Sequence, residues 1–150
     1  MRAVIQRVSF ASVKVDDKTI GQIGPGLLVL LGIEADDTNA DVSLLANKIC
    51  GLRIFSDNEG KMNLDLNDVN GELLIVSQFT LHASTKKGTR PSFIKAARPD
   101  HAIPLYENFI SECSQLSTSK VQTGEFGAMM DVELLNDGPV TIIIDTRNKE

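Results

Sequence analysis

Leu27-Leu28-Val29-Leu30-Leu31 follows the break Gly24-Pro25-Gly26 and runs without a polar residue. A continuous apolar run bounded by turn residues reads as a central strand covered on both faces. The segments around it supply the rest of a sheet. Upstream, Ala3 to Val8 is strand-like, and Ala11, Val13 and Val15 alternate with Ser12 and Lys14 in a second strand. Asp16-Asp17 supplies a turn and Thr19 to Ile23 continues the pattern, so a meander is predicted for the first third of the chain.

Downstream, Thr38 is a helix N-cap with Asp41 three residues on. Val42, Leu45, Ala46, Ile49 and Leu52 follow at helical spacing and predict an amphipathic helix packed on the sheet. Asp57-Asn58-Glu59-Gly60 forms a loop, and Glu72 to Thr80 returns to strand through Leu73-Leu74-Ile75-Val76. A second helix starts near Asp100, tolerates Pro104 in its first turn, and carries Ile103, Tyr106, Phe109, Ile110, Cys113 and Leu116 inward. The last section is strand again: Val121 to Thr123, then Met130, Val132 and Leu134 alternating with Asp131 and Glu133, then Val140 to Ile144. Strands dominate both ends and the helices do not alternate regularly with them. The expected fold is α+β, a mostly antiparallel, barrel-like sheet flanked by two main helices, in a single domain over 1–150.

Composition narrows the function. The chain has 150 residues, 42% of them hydrophobic, enough for one domain with a real core. A net charge of -5 excludes a polycation that coats nucleic acid, so any nucleic-acid contact is local. The start, Met1-Arg2-Ala3-Val4-Ile5-Gln6-Arg7, lacks the apolar region of a secretion signal, and no apolar run approaches the ~18 residues of a membrane span. A cytoplasmic protein with no membrane association is expected. Cys50 and Cys113 lie in apolar, helix-like stretches without a Cys-x-x-Cys pair, and read as buried reduced thiols. His82 and His101 lack the spacing and carboxylate company of a zinc site and read as solvated or hydrogen-bonding side chains. No metal is expected. No cofactor is expected either, because Gly21-x-x-Gly24-Pro25-Gly26 lacks the phosphate-loop lysine and the dinucleotide fingerprint.

Four segments are candidates for chemistry. Asn136-Asp137-Gly138-Pro139-Val140-Thr141 interrupts two apolar runs. It reads either as a hairpin turn with a rigid exit or as a backbone device, cis or trans, that faces a ligand. Ser77-Gln78-Phe79-Thr80-Leu81 ends a strand, where hydroxyls, an amide and backbone N–H groups either cap a turn or orient a reaction. There is no Gly-x-Ser-x-Gly elbow, so oriented donors are favoured over an activated nucleophile. Between Lys86 and Arg98, the side chains of Lys86, Lys87, Arg90, Lys95 and Arg98 occur without any Asp or Glu. That stretch is a solvated face or an anion site, and its Phe93 stacks or anchors the loop. Gly124 to Met130 places Phe126 and Met129 among small residues, which line a pocket or pack the core. Arg7, at the end of the first strand, is expected in solvent.

Taken together, Ser77-Gln78-Phe79-Thr80-Leu81 and Asn136-Asp137-Gly138-Pro139-Val140-Thr141 resemble the two signature motifs of D-aminoacyl-tRNA deacylases. Ala3-Val4-Ile5-Gln6-Arg7-Val8, Gly88-Thr89-Arg90-Pro91-Ser92-Phe93 and Phe126-Gly127-Ala128-x-Met130 resemble that family in the same order, so the similarity spans the chain. The resemblance implies a homodimer in which a cis Gly138-Pro139 of one chain enters the other's site. It implies hydrolysis of the ester between a D-amino acid and the 3′-terminal adenosine of tRNA. Ser77, Gln78, Phe79 and Thr80 would form the catalytic segment. Gly138, Pro139, Arg7, Phe126 and Met129 would contact substrate or hold the loop, while Lys86, Lys87 and Arg90 would bind tRNA. Glycyl-tRNA, having no side chain to exclude, is an expected second substrate. A sister deacylase for a small L-aminoacyl group and a non-catalytic RNA-binding module are the competing readings.

Overall fold

The computed structural model describes residues 1–149. Its sheet is organised on β1 (Arg2–Val15), one strand of 14 residues where the alternation pattern predicts two. One flank of β1 pairs antiparallel with β3 (Gly26–Gly32) along residues 2–8 and with β2 (Lys18–Ile23) along residues 11–15. The other flank pairs with β8 (Asp131–Asp145) from Arg2↔Asp145 to Lys14↔Asp131. The Asp16-Asp17 turn between β1 and β2 is as expected, with both residues at positive φ.

Beyond β3 the pairing changes direction. β3 pairs parallel with β6 (Glu72–Ser77), which pairs parallel with β7 (Val121–Thr123). The sheet is therefore mixed, antiparallel around β1 and parallel around β6. Parallel neighbours need crossover connections, and the two main helices lie in those connections: α1 (Asn39–Cys50) after β3, and α2 (Pro99–Leu116) between β6 and β7. A small hairpin of β4 (Phe55–Ser56) and β5 (Met62–Leu64) also lies between α1 and β6.

The sheet curls until β2 approaches β7. At Gly21 a Cβ would stand 2.7 Å from the Thr123 carbonyl oxygen, so only glycine permits this near-closure of the barrel. Each central strand then buries both faces, as the Leu27–Leu31 run predicts. Leu27, Val29 and Leu31 join Leu73 and Ile75 against the helices, whereas Leu28 joins Leu74 and Val76 inside the barrel. In β1, Ala3 and Ile5 face the helices, while Val8, Ala11 and Val13 face the interior. That parity changes because the β1–β8 register shifts between Val8 and Phe10, a bulge that re-aims every following side chain.

Thr38 caps α1 through the full reciprocal capping box with Asp41. α2 begins at Pro99, and Pro104 stands in its second turn, not its first. Tyr106, Phe109 and Cys113 face inward as expected, with Ala102 and Leu105; Ile103 does not, and stays partly exposed. Cys50 and Cys113 are free and buried where α1 meets α2. Contact with Cys50, together with burial, pushes the Cys113 thiol up. His101 Nε2 lies 3.0 Å from the Asp37 carbonyl oxygen, whereas His82 is buried, contrary to a solvated reading. Among the described residues, no helix is long and apolar enough to cross a membrane.

Candidate functional site

The Gln78 amide makes the last rung of the parallel ladder, donating to the Leu31 carbonyl at 2.7 Å, and β6 then gives way to a short 3₁₀ helix, Phe79–His82. Phe79 and Thr80 occupy its first two positions, where backbone N–H groups have no intrahelical carbonyl to reach. The Gln78 amide nitrogen donates to the Thr80 hydroxyl. Two backbone donors are thus left at the mouth of a strand that is itself rigidly paired.

The turn is held from behind. The Arg2 guanidinium donates to the Leu81 carbonyl at 2.7 Å and to Asp145. Burial raises the Asp145 carboxyl, but the amides of Arg147 and Asn148 and the Arg2 charge hold it well below the usual carboxylate range. His82, under the turn, brings Nδ1 to 3.1 Å from Glu34 Oε1, and neither ring nitrogen has hydrogen-bond geometry. Glu34 in turn meets Arg147 at 3.5 Å.

In front of the turn lies a cavity of about 310 Å³. Ser77, Gln78 and Phe79 form one wall, and Phe126, Gly127, Ala128 and Met129 form the other. The sequence segments proposed separately for chemistry and for a pocket therefore meet. Phe126 is fixed by its ring against Tyr106, with centroids 5.6 Å apart. The Tyr106 hydroxyl donates to the Ile75 carbonyl at 3.0 Å, and burial pushes its pKa up to about 12. Among the described residues, no carboxylate, imidazole, amine or thiol lines the cavity. The lining combines the neutral polar groups of Ser77 and Gln78 with apolar side chains, and Thr80, one residue further on, lies outside it.

Gly138 and Pro139 do not line this cavity. Arg7, beside them, pairs with Leu27 at the start of β3, whereas Ser77 pairs with Leu31 at its end. Four residues of strand separate those levels, ~13 Å at the usual rise. The hairpin reading of this segment is also corrected, because β8 continues through it: Thr141 pairs with Gln6 and Asn136 with Val8. Asp137 to Val140 is therefore a wide bulge facing the single residue Arg7, and its Gly138-Pro139 peptide is cis. Asn136 spans it, accepting from the Val140 amide at 2.8 Å and donating to the Val140 carbonyl and the Thr141 hydroxyl.

Arg7 is not in solvent; it is 8% exposed. Its Nε donates to the Asp137 carbonyl at 2.9 Å and one terminal nitrogen to the Ile54 carbonyl at 2.6 Å. Gly138 sits at φ +142, and a Cβ there would stand 2.7 Å from Val140 Cγ2 and 3.1 Å from the Arg7 guanidinium. Glycine is therefore required by both conformation and space. The Ile54 carbonyl, which anchors Arg7, has no signature in the sequence, since any residue supplies one.

Lys86, Lys87 and Arg90 are exposed on the segment that follows the 3₁₀ helix. Phe93 anchors that segment by an edge-on contact with Phe79, centroids 5.0 Å apart. The cations are thus tied to the cavity mouth through one aromatic pair.

Comparisons with known proteins identify the family. The family model described as D-Tyr-tRNA(Tyr) deacylase matches residues 4–145. The D-aminoacyl-tRNA deacylase of Cytophaga hutchinsonii is 63% identical over 150 residues, covering 100% of both chains. That of Akkermansia muciniphila is 60% identical, again over 100% of both. A solved structure described as c-Myc DNA unwinding element binding protein superposes with a TM-score of 0.92 at 40% identity, covering 97% of this chain and 99% of that one. A second, described as a probable eukaryotic D-amino acid tRNA deacylase, shares the fold with a TM-score of 0.81 at 19% identity over 95% of this chain and 97% of that one. The chain belongs to the D-Tyr-tRNA(Tyr) deacylase family.

Proposed function

We propose that the protein hydrolyses the ester joining a D-amino acid to the 3′-terminal adenosine of tRNA, in the cytoplasm, and releases the free D-amino acid and tRNA. The observation that carries this reading is the cavity beside the Phe79 and Thr80 amides, which has neutral donors and no titratable side chain on its walls. An acyl ester needs charge stabilisation on its carbonyl oxygen more than it needs a strong base, because the alkoxide leaving group is far better than an amine. Donors already aimed at that oxygen supply the stabilisation without reorganising. The amides of Phe79 and Thr80 take the oxyanion, Gln78 shapes the wall and orients the Thr80 hydroxyl, and Phe126 and Met129 cover the adenosine side. The 2′-hydroxyl of the terminal ribose assists the attacking water, a role that no side chain of the cavity wall fills.

Chirality is set by the bulge of a second subunit. Gly138-Pro139 is remote from the cavity of its own chain, so its entry into a site requires a homodimer. Apolar residues are exposed at both ends of such a contact: Phe79 and Met129 at the cavity, Leu135 and Ile143 flanking the bulge. A main-chain carbonyl pair held by Arg7 and Asn136 cannot yield to an L side chain as a flexible residue would, so it excludes by position. Glycyl-tRNA passes the same filter. Lys86, Lys87 and Arg90 contact tRNA phosphates.

Hydrolysis of D- and L-tyrosyl-tRNA by the purified protein tests the reading. Release of D-tyrosine with the L-ester left intact supports it, and comparable release of both overturns it. Binding of tRNA without cleavage of either ester would assign a non-catalytic RNA-binding role instead.

A further inference from the structure

The segment after the cavity carries an apolar side chain that its fold does not use. The Ala96 amide donates to the Phe93 carbonyl at 3.0 Å, closing a turn with Ile94 and Lys95 at its tip. Turn tips favour Gly, Asn, Asp or Ser, which reach the required dihedrals or hydrogen-bond their own backbone. Ile94 is 91% exposed at that position. Its neighbour Phe93 lies edge-on against Phe79, itself 55% exposed, so an apolar ledge runs from the cavity mouth through two rings to the turn.

Within this segment the charge is one-sided, and the acidic Glu34 and Asp36 that approach it across the Glu34↔Ala96 bridge are paired with Arg147. Lys86, Lys87, Arg90, Lys95 and Arg98 are all exposed, and no Asp or Glu lies between residues 86 and 98. None of the five takes part in an ion pair among the described residues. The antiparallel bridge Ser84↔Ser92 folds the stretch back on itself, with Lys86, Lys87 and Arg90 in the loop it closes and Phe93 immediately after it. An aromatic ring set among unpaired cations is the combination that holds single-stranded nucleic acid, bases stacking on the ring while phosphates meet the charges; here Phe93 offers the ring and Ile94 an apolar edge beside it.

Resting on the deacylase reading above, we infer that Phe93 and Ile94 form a subsite for the unpaired nucleotides immediately preceding the terminal adenosine, distinct from the cavity that takes the aminoacyl-adenosine itself. The polarity follows from the topology. The ledge begins at Phe79, where the ester reacts, and leads away from the cavity toward Lys95. The ledge thus receives the bases, and the flanking cations receive the phosphates between them. Its contribution is to ground-state binding of the RNA strand, with no part in the chemical step.

Ile94→Ser and Phe93→Leu test the assignment. Ile94→Ser is the cleaner variant, because the side chain touches nothing the fold needs. Binding is read by fluorescence anisotropy with a labelled, uncharged RNA oligonucleotide ending in CCA, which reports the subsite whether or not any ester is cut. Hydrolysis is read on D-tyrosyl-tRNA and on D-tyrosyl-adenosine, which lacks the preceding nucleotides. Either variant is expected to weaken RNA binding about tenfold, the scale of one lost base contact. Ile94→Ser should raise KM on D-tyrosyl-tRNA by a similar factor with kcat unchanged, and leave D-tyrosyl-adenosine turnover at the wild-type rate. Equal losses on both substrates would overturn the subsite and make the ledge a support for the catalytic turn. Unchanged RNA binding would return Ile94 to solvent. Loss of binding together with dissociation into monomers would make the ledge a protein contact.

Discussion

The Ser77–Thr80 turn and the Asn136–Thr141 bulge are both interruptions of strands, and they treat their polar groups in opposite ways. At the turn, the Phe79 and Thr80 amides are left without intrahelical partners, next to a cavity that Phe79 lines. At the bulge, Asn136 closes on Val140 and Thr141, and Arg7 takes the Asp137 carbonyl. Open donors attract a developing charge; satisfied ones hold a shape. On the proposed reading the difference separates a reacting surface from an excluding one, and each can be attacked without touching the other.

The largest effect is expected from Gly138→Ala. A methyl group 2.7 Å from Val140 Cγ2 and 3.1 Å from the Arg7 guanidinium must displace the bulge. Displacement of order 1 Å at a positioned group costs about 100-fold in rate. kcat/KM for D-tyrosyl-tRNA should fall by that order and the preference over the L-ester should narrow; an unaltered ratio would detach the bulge from discrimination. Next, Arg7→Ala strips the Asp137 and Ile54 carbonyls of their donor in a buried setting. Unfolding in denaturant should show a loss of about 2–3 kcal/mol, with selectivity relaxed and the turn's own chemistry retained. Replacing Lys86, Lys87 and Arg90 together by Ala should weaken tRNA binding and flatten the slope of log K against log salt by about 2. An unchanged slope would make these residues a solvated face.

The smallest effect belongs to Thr80→Ala. If the backbone amides supply the oxyanion contact, the rate should stay within about fivefold of wild type. A loss of a hundredfold or more would move the hydroxyl into the chemical step and redraw the turn as a side-chain site. Together, the first and last substitutions ask whether main chain governs both halves of the comparison.

Much of this was legible in the sequence because local rules and tertiary demands coincide there. The Leu27–Leu31 run is buried on both faces as its unbroken apolar character requires, and Thr38 caps α1 because Asp41 completes the reciprocal pair. Other features depend on partners distant in the chain. β1 reads as two strands because its bulges break the alternation, and only β8 on its far flank shows that the strand is continuous. Asp137-Gly138-Pro139 reads as a hairpin from local turn chemistry, but the flanking runs pair with β1 instead of with each other. Arg7 looks solvent-facing at a strand end, and its burial depends on the Ile54 carbonyl 47 residues away. At the site, the residues of each segment could be nominated from sequence. That Phe126 to Met129 face Ser77 to Phe79 across a cavity, and that Gly138 does not, follows only from the topology.

The position of the bulge within β8 also bears on how this protein can be altered. In a strand, adding or removing one residue turns every later side chain to the opposite face. Along most of β8 such a change would invert the wall that includes Leu134 and Ile144, and the protein would be lost. Between Asn136 and Thr141 the chain already carries extra residues opposite Arg7, and pairing resumes independently on either side. Length there is decoupled from the barrel. A change of length in this short stretch leaves the pairing on either side in register, so on the proposed reading the part that sets substrate preference can vary with less cost to the barrel than any other part of β8, provided the Arg7 contact to the Asp137 carbonyl is kept.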